Sequence, residues 1–287
     1  MKENIFNLFK KHVLIIANQK YPLLRKRKYS LEYYLEKFTD ILNEVVNWES
    51  LKKTYQNCSK FHWKTIYNEF NKWSKDRIFE DAFYNFVNTK YFKIAQVKKE
   101  KKLNLFIDVT KITNKLGSEK IAINWEYKKK NVTSITAICD QNKLPLSISV
   151  LDIKNKLYNG RNTSQHEIQN VQNTLNNINL KLKNYVDVNL TGDKGYITQK
   201  SFKILNRKLK IIIPKKRNQR TKNTLKEKKL LKSRYLIENF FSDIKKNIRI
   251  MIRKEKQISN YLSFMYISML EYYIKYALSN GLEKYIK

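Results

Sequence analysis

Cysteine, glycine, proline and acidic residues are all scarce in this 287-residue chain. Its two cysteines, Cys58 and Cys139, cannot build a disulfide framework and lie in no metal-ligand pattern, so disulfide-rich scaffolds and zinc modules are excluded. No run of about 18 apolar residues occurs, which excludes a transmembrane helix. The apolar stretch 13–17 is too short for a secretion signal, and we therefore expect an intracellular protein without a membrane partner.

The imbalance of charge is the largest departure from an ordinary composition. The chain has 59 Lys and Arg but only 25 Asp and Glu, for a formal net charge of +34. Such an excess repels itself, so a polyanionic partner is expected to offset it. Nucleic acid is the favoured partner because each neutralised phosphate releases counterions, and an anionic membrane surface is the alternative. A hydrophobic content of 42% indicates a globular rather than a disordered chain.

Residues 1–98 are predicted to form an all-α region with a role in DNA binding. Apolar residues recur at steps of three and four through residues 29–48, where Ser30 is a candidate N-cap. A second apolar stripe runs through residues 61–92 and breaks at residues 73–76, which predicts two helices joined by a turn. A DNA-binding module and an ordinary helical bundle both fit this pattern. The basic residues near the break are Lys64, Lys72, Lys75 and Arg77.

Residues 99–287 have the pattern of an α/β domain. A compact β-rich run is followed by a hairpin, and then helices and strands alternate. This order predicts a mixed sheet with helices on both faces. The predicted strands are 103–110, the hairpin 131–153 with its turn at 140–143, 185–193 and 209–214; the predicted helices are 163–178, 197–208, about 230–250 and about 257–278; residues 215–229 are predicted to be a basic loop.

Two aspartates interrupt or end the predicted strands. Asp108 lies inside an apolar run, where a carboxylate is costly unless it is paired or binds a cation. Asp193 ends a second strand and is followed by Gly195, which allows a sharp turn. Because ligands of open α/β sheets gather at the carboxyl ends of strands, we expect these two aspartates to converge.

A third acid, Glu238, lies beside the apolar face of the predicted helix 230–250. Helical periodicity puts Arg234 and Lys245 on the same stripe, and a plain ion pair with Arg234 is the simpler interpretation. Together the three acids would form an oxygen-only site suited to Mg²⁺ or Mn²⁺, with two ions acting on a phosphodiester. Surrounding Lys and Arg residues would position the DNA backbone.

These acids stand in motifs that resemble the DDE transposases of the IS4/IS5 superfamily of insertion sequences, most closely the IS5-like group. The matches are "FIDVTKI" around Asp108, "GDKGYI" around Asp193 and "RYLIENFFSDIKK" around Glu238, and the resemblance spans roughly residues 60–275. The last motif reproduces the superfamily's Arg–Glu–Lys signature through Arg234, Glu238 and Lys245. Leu231 stands where the superfamily usually has Tyr, and Glu167 where Asp is usual.

The resemblance implies an RNase H-like catalytic domain and the movement of a DNA element whose terminal inverted repeats are the specific ligand. Asp108, Asp193 and Glu238 would hold two Mg²⁺ or Mn²⁺ ions. Lys194 and Lys245 would contact phosphates, and Arg234 would orient Glu238 or touch DNA. Because two DNA ends must be handled together, a homodimer on DNA is expected. The basic stretch would follow the DNA backbone or be merely solvated, and its expected contacts are Lys215, Lys216, Arg217 and Arg220.

Three functions stay open at this point. The first is a transposase that hydrolyses DNA at the element ends and then transfers the freed 3′-hydroxyl to target DNA. The second is a related nuclease that cuts without integrating. The third is an inactive or domesticated DNA-binding protein, which the presence of all three acids disfavours.

Overall fold

The computed structural model describes residues 2–22, 28–43, 47–50, 62–95, 103–124, 130–151, 163–178, 188–196, 203–204, 207–215 and 221–286. The predicted domain boundary at residues 98–99 and Cys58 lie outside these ranges. The chain forms two compact units, one of residues 1–90 with 244–287 and one of residues 91–243. The C-terminal residues 244–287, assigned from the sequence to the second domain, therefore cluster with the helical residues.

The elements are numbered in chain order over the described residues. The helices are α1 (Lys2–Lys20), α2 (Leu31–Asn43), α3 (Trp63–Lys75), α4 (Ile78–Ile94), α5 (Thr163–Asn176), α6 (Leu225–Lys232), α7 (Tyr235–Lys245), α8 (Ile248–Met251) and α9 (Ile258–Ser279). The strands are β1 (Leu103–Asn114), β2 (Ala122–Asn124), β3 (Lys130–Asp140), β4 (Pro145–Val150), β5 (Val188–Thr191), β6 (Lys203–Ile204), β7 (Arg207–Lys208), β8 (Lys210–Ile212) and β9 (Ile252–Arg253). Short 3-10 turns cover Trp48–Ser50, Lys194–Tyr196 and Glu283–Tyr285.

The first unit is a helical bundle with an aromatic core, as the apolar stripes predicted. Helix α2 begins after Ser30, whose hydroxyl accepts a hydrogen bond from the Tyr33 N–H at 3.1 Å, so the predicted cap is confirmed. Phe70 of α3 stacks on Phe264 of α9 with ring centroids 4.5 Å apart. Such aromatic pairs contribute about 0.5–1.5 kcal/mol beyond the area they bury.

The predicted turn between α3 and α4 is also present. Arg77 adopts the left-handed region at this turn, with φ at 57°. Its guanidinium donates two hydrogen bonds of 2.7 Å to Glu80, so this basic residue already has a carboxylate partner. Trp73, near the end of α3, is fully buried, which makes it a core residue. In the described part of the chain, no helix has both the length and the apolar content needed to cross a bilayer.

The second unit contains a mixed sheet, which confirms the predicted α/β class. Central strand β1 pairs antiparallel with β3 and parallel with β5, and β5 pairs parallel with β8. The other edge of β3 carries β4 and the short strand β2, both antiparallel to it. Helix α5 packs on β3 and β4, where the Asn170 side chain donates to Thr136 Oγ1 at 2.8 Å. Strand β2 has no counterpart among the predicted strands.

The β3–β4 hairpin turns around a fully buried carboxylate. Asp140 accepts hydrogen bonds from the Asn142 and Leu144 N–H groups at 2.8 and 2.9 Å, and from the Tyr91 hydroxyl at 2.9 Å. Burial raises the pKa of Asp140 to about 6, although these hydrogen bonds act in the opposite direction. The turn at residues 140–143 was predicted correctly, but the burial of Asp140 was not.

Three sequence predictions about local structure are wrong. Residues 203–204 and 207–208, predicted as helical, form the small antiparallel ladder β6–β7. The predicted helix 230–250 is broken into α6, α7 and α8, with turns at residues 233–234 and 246–247. The predicted loop 215–229 becomes helical at Leu225, because Thr224 and Glu227 form a capping box. That signal, a Thr followed three residues later by Glu, was visible in the sequence.

Candidate active site

Sheet register places Asp108 and Asp193 side by side. The parallel pairing of β1 with β5 ends at Phe106 opposite Thr191, and each aspartate lies two residues further along its own chain. Neighbouring strands are about 4.8 Å apart, and residues two apart share a face of the sheet. Asp193 therefore follows the carboxyl end of β5, beside the middle of β1, where Asp108 lies.

The backbone around each aspartate holds its carboxylate in a defined direction. The Val109 N–H donates to Asp108 Oδ1 at 2.9 Å, and the Lys194 N–H donates to Asp193 Oδ1 at 2.5 Å. After Asp193 the chain enters the 3-10 turn, in which the Tyr196 N–H donates to the Asp193 carbonyl at 3.0 Å. Both carboxylates are thus oriented by the residue that follows them.

Gly192 allows this turn to pack closely against the sheet. A Cβ atom at Gly192 would lie 2.8 Å from Tyr196 Cδ2 and 3.1 Å from Ile107 Cγ2. The Tyr196 ring is buried, so it cannot move out of the way cheaply. The absence of a side chain at Gly192 therefore sets the position of the loop that carries Asp193.

Arg234 lies in the turn between α6 and α7, and its guanidinium bridges the two aspartates. Its Nη1 is 3.4 Å from Asp193 Oδ1, and its Nη2 is 4.0 Å from Asp108 Oδ2. The Nε atom is buried and has no hydrogen-bond partner among the described residues. Because the helix breaks at residues 233–234, Arg234 is turned off the stripe of Glu238, and no ion pair between the two exists in the described structure. The i,i+4 pair considered from the sequence is therefore wrong.

Glu238 lies in the first turn of α7 with an exposed side chain, and it acts on Asp108 through its charge. Burial raises the pKa of Asp108 above its ordinary value, and the negative charges of Glu238 and Asp193 raise that pKa further. The Val109 N–H and the Arg234 guanidinium lower the same pKa. Glu238 and Asp193 thus both lie within electrostatic reach of Asp108.

The donor set fits a hard divalent cation in its chemistry, since all three candidates are carboxylates. Among the described residues, however, no three His, Cys, Asp or Glu side chains are grouped closely enough to hold one metal ion. The Arg234 guanidinium forms ion pairs with both aspartates, at 4.0 Å from Asp108 and 3.4 Å from Asp193. The Nε of Arg234 is buried and has no hydrogen-bond acceptor among the described residues, so the guanidinium does not form all of its possible hydrogen bonds here.

The predicted DNA contacts lie on separate elements of the chain. Lys194 is exposed at the start of the 3-10 turn, and Lys245 is the last residue of α7. Lys215 is exposed, and its Nζ donates to Thr221 Oγ1 at 3.2 Å. Lys216, Arg217 and Arg220 lie outside the described residues. Lys226, Lys228 and Lys229 belong to the basic stretch 215–229 that was expected to follow the DNA backbone, but the helix that carries them was not predicted.

No protein-family model matches this chain, and no curated protein matches it. A solved structure with similarity to it is the cryo-EM structure of a piggyBac transposase synaptic complex with hairpin DNA, at 12% sequence identity. The alignment covers 98% of this chain and 77% of that chain, with a TM-score of 0.49. At that TM-score no function follows from the similarity.

Proposed function

We propose that this protein is a DDE transposase, which cleaves DNA at the ends of a mobile element and transfers the freed strand. The observation that carries the proposal is the register of the sheet, which sets Asp108 beside Asp193. Glu238 adds a third negative charge that acts on Asp108. Acids placed on separate elements and brought to one sheet edge are expected of a site that handles phosphates through cations.

The strand arrangement supports an RNase H-like catalytic core, the fold that the sequence resemblance implies. Across the sheet the order is β4, β3, β1, β5 and β8, with the antiparallel pairs at one side and the parallel pairs at the other. Asp108 lies on the central strand, and Asp193 follows the neighbouring one. The helix carrying Glu238 comes after the last parallel strand along the chain.

In this proposal Asp108, Asp193 and Glu238 would hold Mg²⁺ or Mn²⁺ ions in the complex with DNA, where they would have to lie closer together than in the described structure. Two such ions, when bound, supply an activated water or 3′-hydroxyl and a stabilised leaving oxygen in phosphodiester displacement. The chain itself fixes the carboxylate directions through the Val109 and Lys194 N–H groups. Lys194, Lys215, Lys216, Arg217, Arg220, Arg234 and Lys245 would neutralise DNA phosphates in the catalytic complex.

The substrate would be double-stranded DNA, with the terminal inverted repeats of the element as the specific ligand and a second duplex as the target. Handling two ends together calls for a homodimer on DNA. The net charge of +34 favours such a polyanionic partner. One alternative is a nuclease that cleaves DNA by the same chemistry but does not transfer the strand. The other is a DNA-binding protein that has no catalytic activity.

The test uses duplex DNA that ends in the inverted repeats flanking the coding sequence. With Mg²⁺, wild-type protein should nick the repeat end and join it to target DNA, and Asp193→Asn should abolish both products. Asp243→Asn is the matched control, because Asp243 pairs with Lys143 at 3.7 Å rather than with the site. Nicking without joined product would favour the nuclease. Specific binding with no nicking by wild type would favour the inactive DNA-binding protein.

A further inference from the structure

Helix α6 presents a basic surface, here called the lysine face, made of Lys226, Lys228, Lys229 and Lys232 around the exposed Leu225. At 100° per residue these four side chains cover an arc of about 160°. All four are exposed, whereas Glu227, Leu230 and Leu231 on the opposite side are half-buried. No residue of α6 is fully buried. The helix therefore lies on the surface of the second unit with its lysines toward solvent.

A helix of eight residues with no buried side chain is only marginally stable by itself, so other contacts must hold it in place. The Thr224 hydroxyl accepts from the Glu227 N–H at 3.3 Å, and the Glu227 carboxylate accepts from the Thr224 N–H at 3.1 Å. Lys210 pairs with Glu227 at 3.1 Å, and the Asn223 side chain donates to the Ile213 carbonyl at 3.1 Å. These contacts attach the start of α6 to the region of strand β8.

The lysines of this face have no acidic partners among the residues that the structure describes. Within the described structure none of Lys226, Lys228, Lys229 and Lys232 forms an ion pair, and Glu227 on the opposite side of the helix pairs with Lys210. Like charges at neighbouring helix positions destabilise a helix. The chain thus holds four unpaired cations together on an anchored helix, and an anion bound there would remove their repulsion.

From these observations we infer that the lysine face binds the phosphate backbone of double-stranded DNA. Lys226 and Lys232 are separated by a rise of about 9 Å, which spans two to three successive phosphates along one strand. The exposed arc carries no Arg, Asn or Gln, the side chains that read base edges bidentately. The contacts are therefore with phosphates and are independent of sequence.

The position of α6 along the chain connects this surface to the carboxylates. Only Ser233 separates Lys232 from Arg234, whose guanidinium contacts both Asp108 and Asp193. A strand that follows the lysine face is thereby led toward these acids. The choice of DNA as the polyanion rests on the proposed function. The existence of a basic surface on α6 follows from the exposed lysines alone.

The experiment measures binding of a fluorescein-labelled duplex of random sequence to the full-length protein at several salt concentrations. Lys228→Gln with Lys232→Gln removes two charges and retains good helix formers. Loss of two phosphate contacts should lower the slope of log affinity against log salt by about 1.8, and weaken binding roughly 60-fold at 0.1 M salt. Replacing the same two lysines by arginine should preserve the slope.

Lys93→Gln with Lys115→Gln is the charge-matched control, because both lysines are exposed and neither forms an ion pair in the described structure. An unchanged slope for this control supports the inference. Equal slopes for the two glutamine variants would overturn it, since only net charge would then matter. Loss of binding to phosphatidylserine vesicles with DNA binding intact would overturn it in favour of a membrane surface. Because no Mg²⁺ is added, a failure here is separate from a failure of the cleavage test.

Discussion

Replacing Arg234 by glutamine should make the protein bind Mn²⁺ more tightly. The guanidinium lies 3.4 Å from Asp193 and 4.0 Å from Asp108, and its positive charge offsets the negative charges of both carboxylates. We expect a divalent ion bound between the two aspartates to displace it. The side chain of Arg234 is therefore expected to compete with the metal for these carboxylates.

The size of this competition follows from the exposure of the three groups. Side-chain exposure is 19% for Arg234, 25% for Asp108 and 56% for Asp193. Coulomb energy alone, about 4 kcal/mol at 4 Å in an effective dielectric of 20, is an upper bound because solvent screens the pair with Asp193. Measured partly exposed pairs contribute about 0.2–1 kcal/mol each. Two pairs of this size correspond to an affinity for Mn²⁺ roughly 2- to 30-fold higher in the variant.

The measurement is a Mn²⁺ titration of the DNA-free protein, followed by electron paramagnetic resonance of the free ion. Lys194→Gln is the control, because it removes an equal charge next to Asp193 from an exposed side chain that does not bridge the aspartates. Its effect should stay below about two-fold, since exposed charges are well screened. Weaker or unchanged Mn²⁺ binding by Arg234→Gln would refute the competition and make Arg234 a support of the site.

Two further predictions concern the sheet that carries the site. Gly192→Ala should lower the free energy of unfolding by about 1–3 kcal/mol, because the added Cβ would lie 2.8 Å from the buried Tyr196 ring. Urea unfolding measures this free energy. An unchanged value would show that the loop shifts to make room for the methyl group. Asp140 has a folded-state pKa of about 6 against an ordinary value of 3.8, so its protonated form is favoured by folding. Stability of the wild type relative to Asp140→Asn should fall by on the order of 2–3 kcal/mol as pH rises from about 4 to 6, which unfolding curves across this range would detect or exclude.

Local patterns in the sequence were sufficient for most of the helices and strands. The stripe in residues 29–48 predicted α2 and its cap at Ser30, and the apolar run interrupted by Asp108 predicted β1. These predictions succeed because periodicity and capping act within a few residues. The helix prediction for residues 197–208 failed for the described residues 203–204 and 207–208, since a two-residue ladder carries almost no local signal.

The residues of the candidate site were chosen from the sequence, but their arrangement was not determined by it. An acid in an apolar run is visible in the chain, as is an acid at the end of a strand. The order and register of the strands depend on hydrogen bonds between segments that are far apart along the chain. Only these hydrogen bonds put Asp108 beside Asp193. A two-residue turn likewise directs Arg234 to both aspartates instead of Glu238. Composition and periodicity thus determined the elements and their chemistry, whereas long-range pairing decided which charges meet, because side-chain direction follows from tertiary contacts.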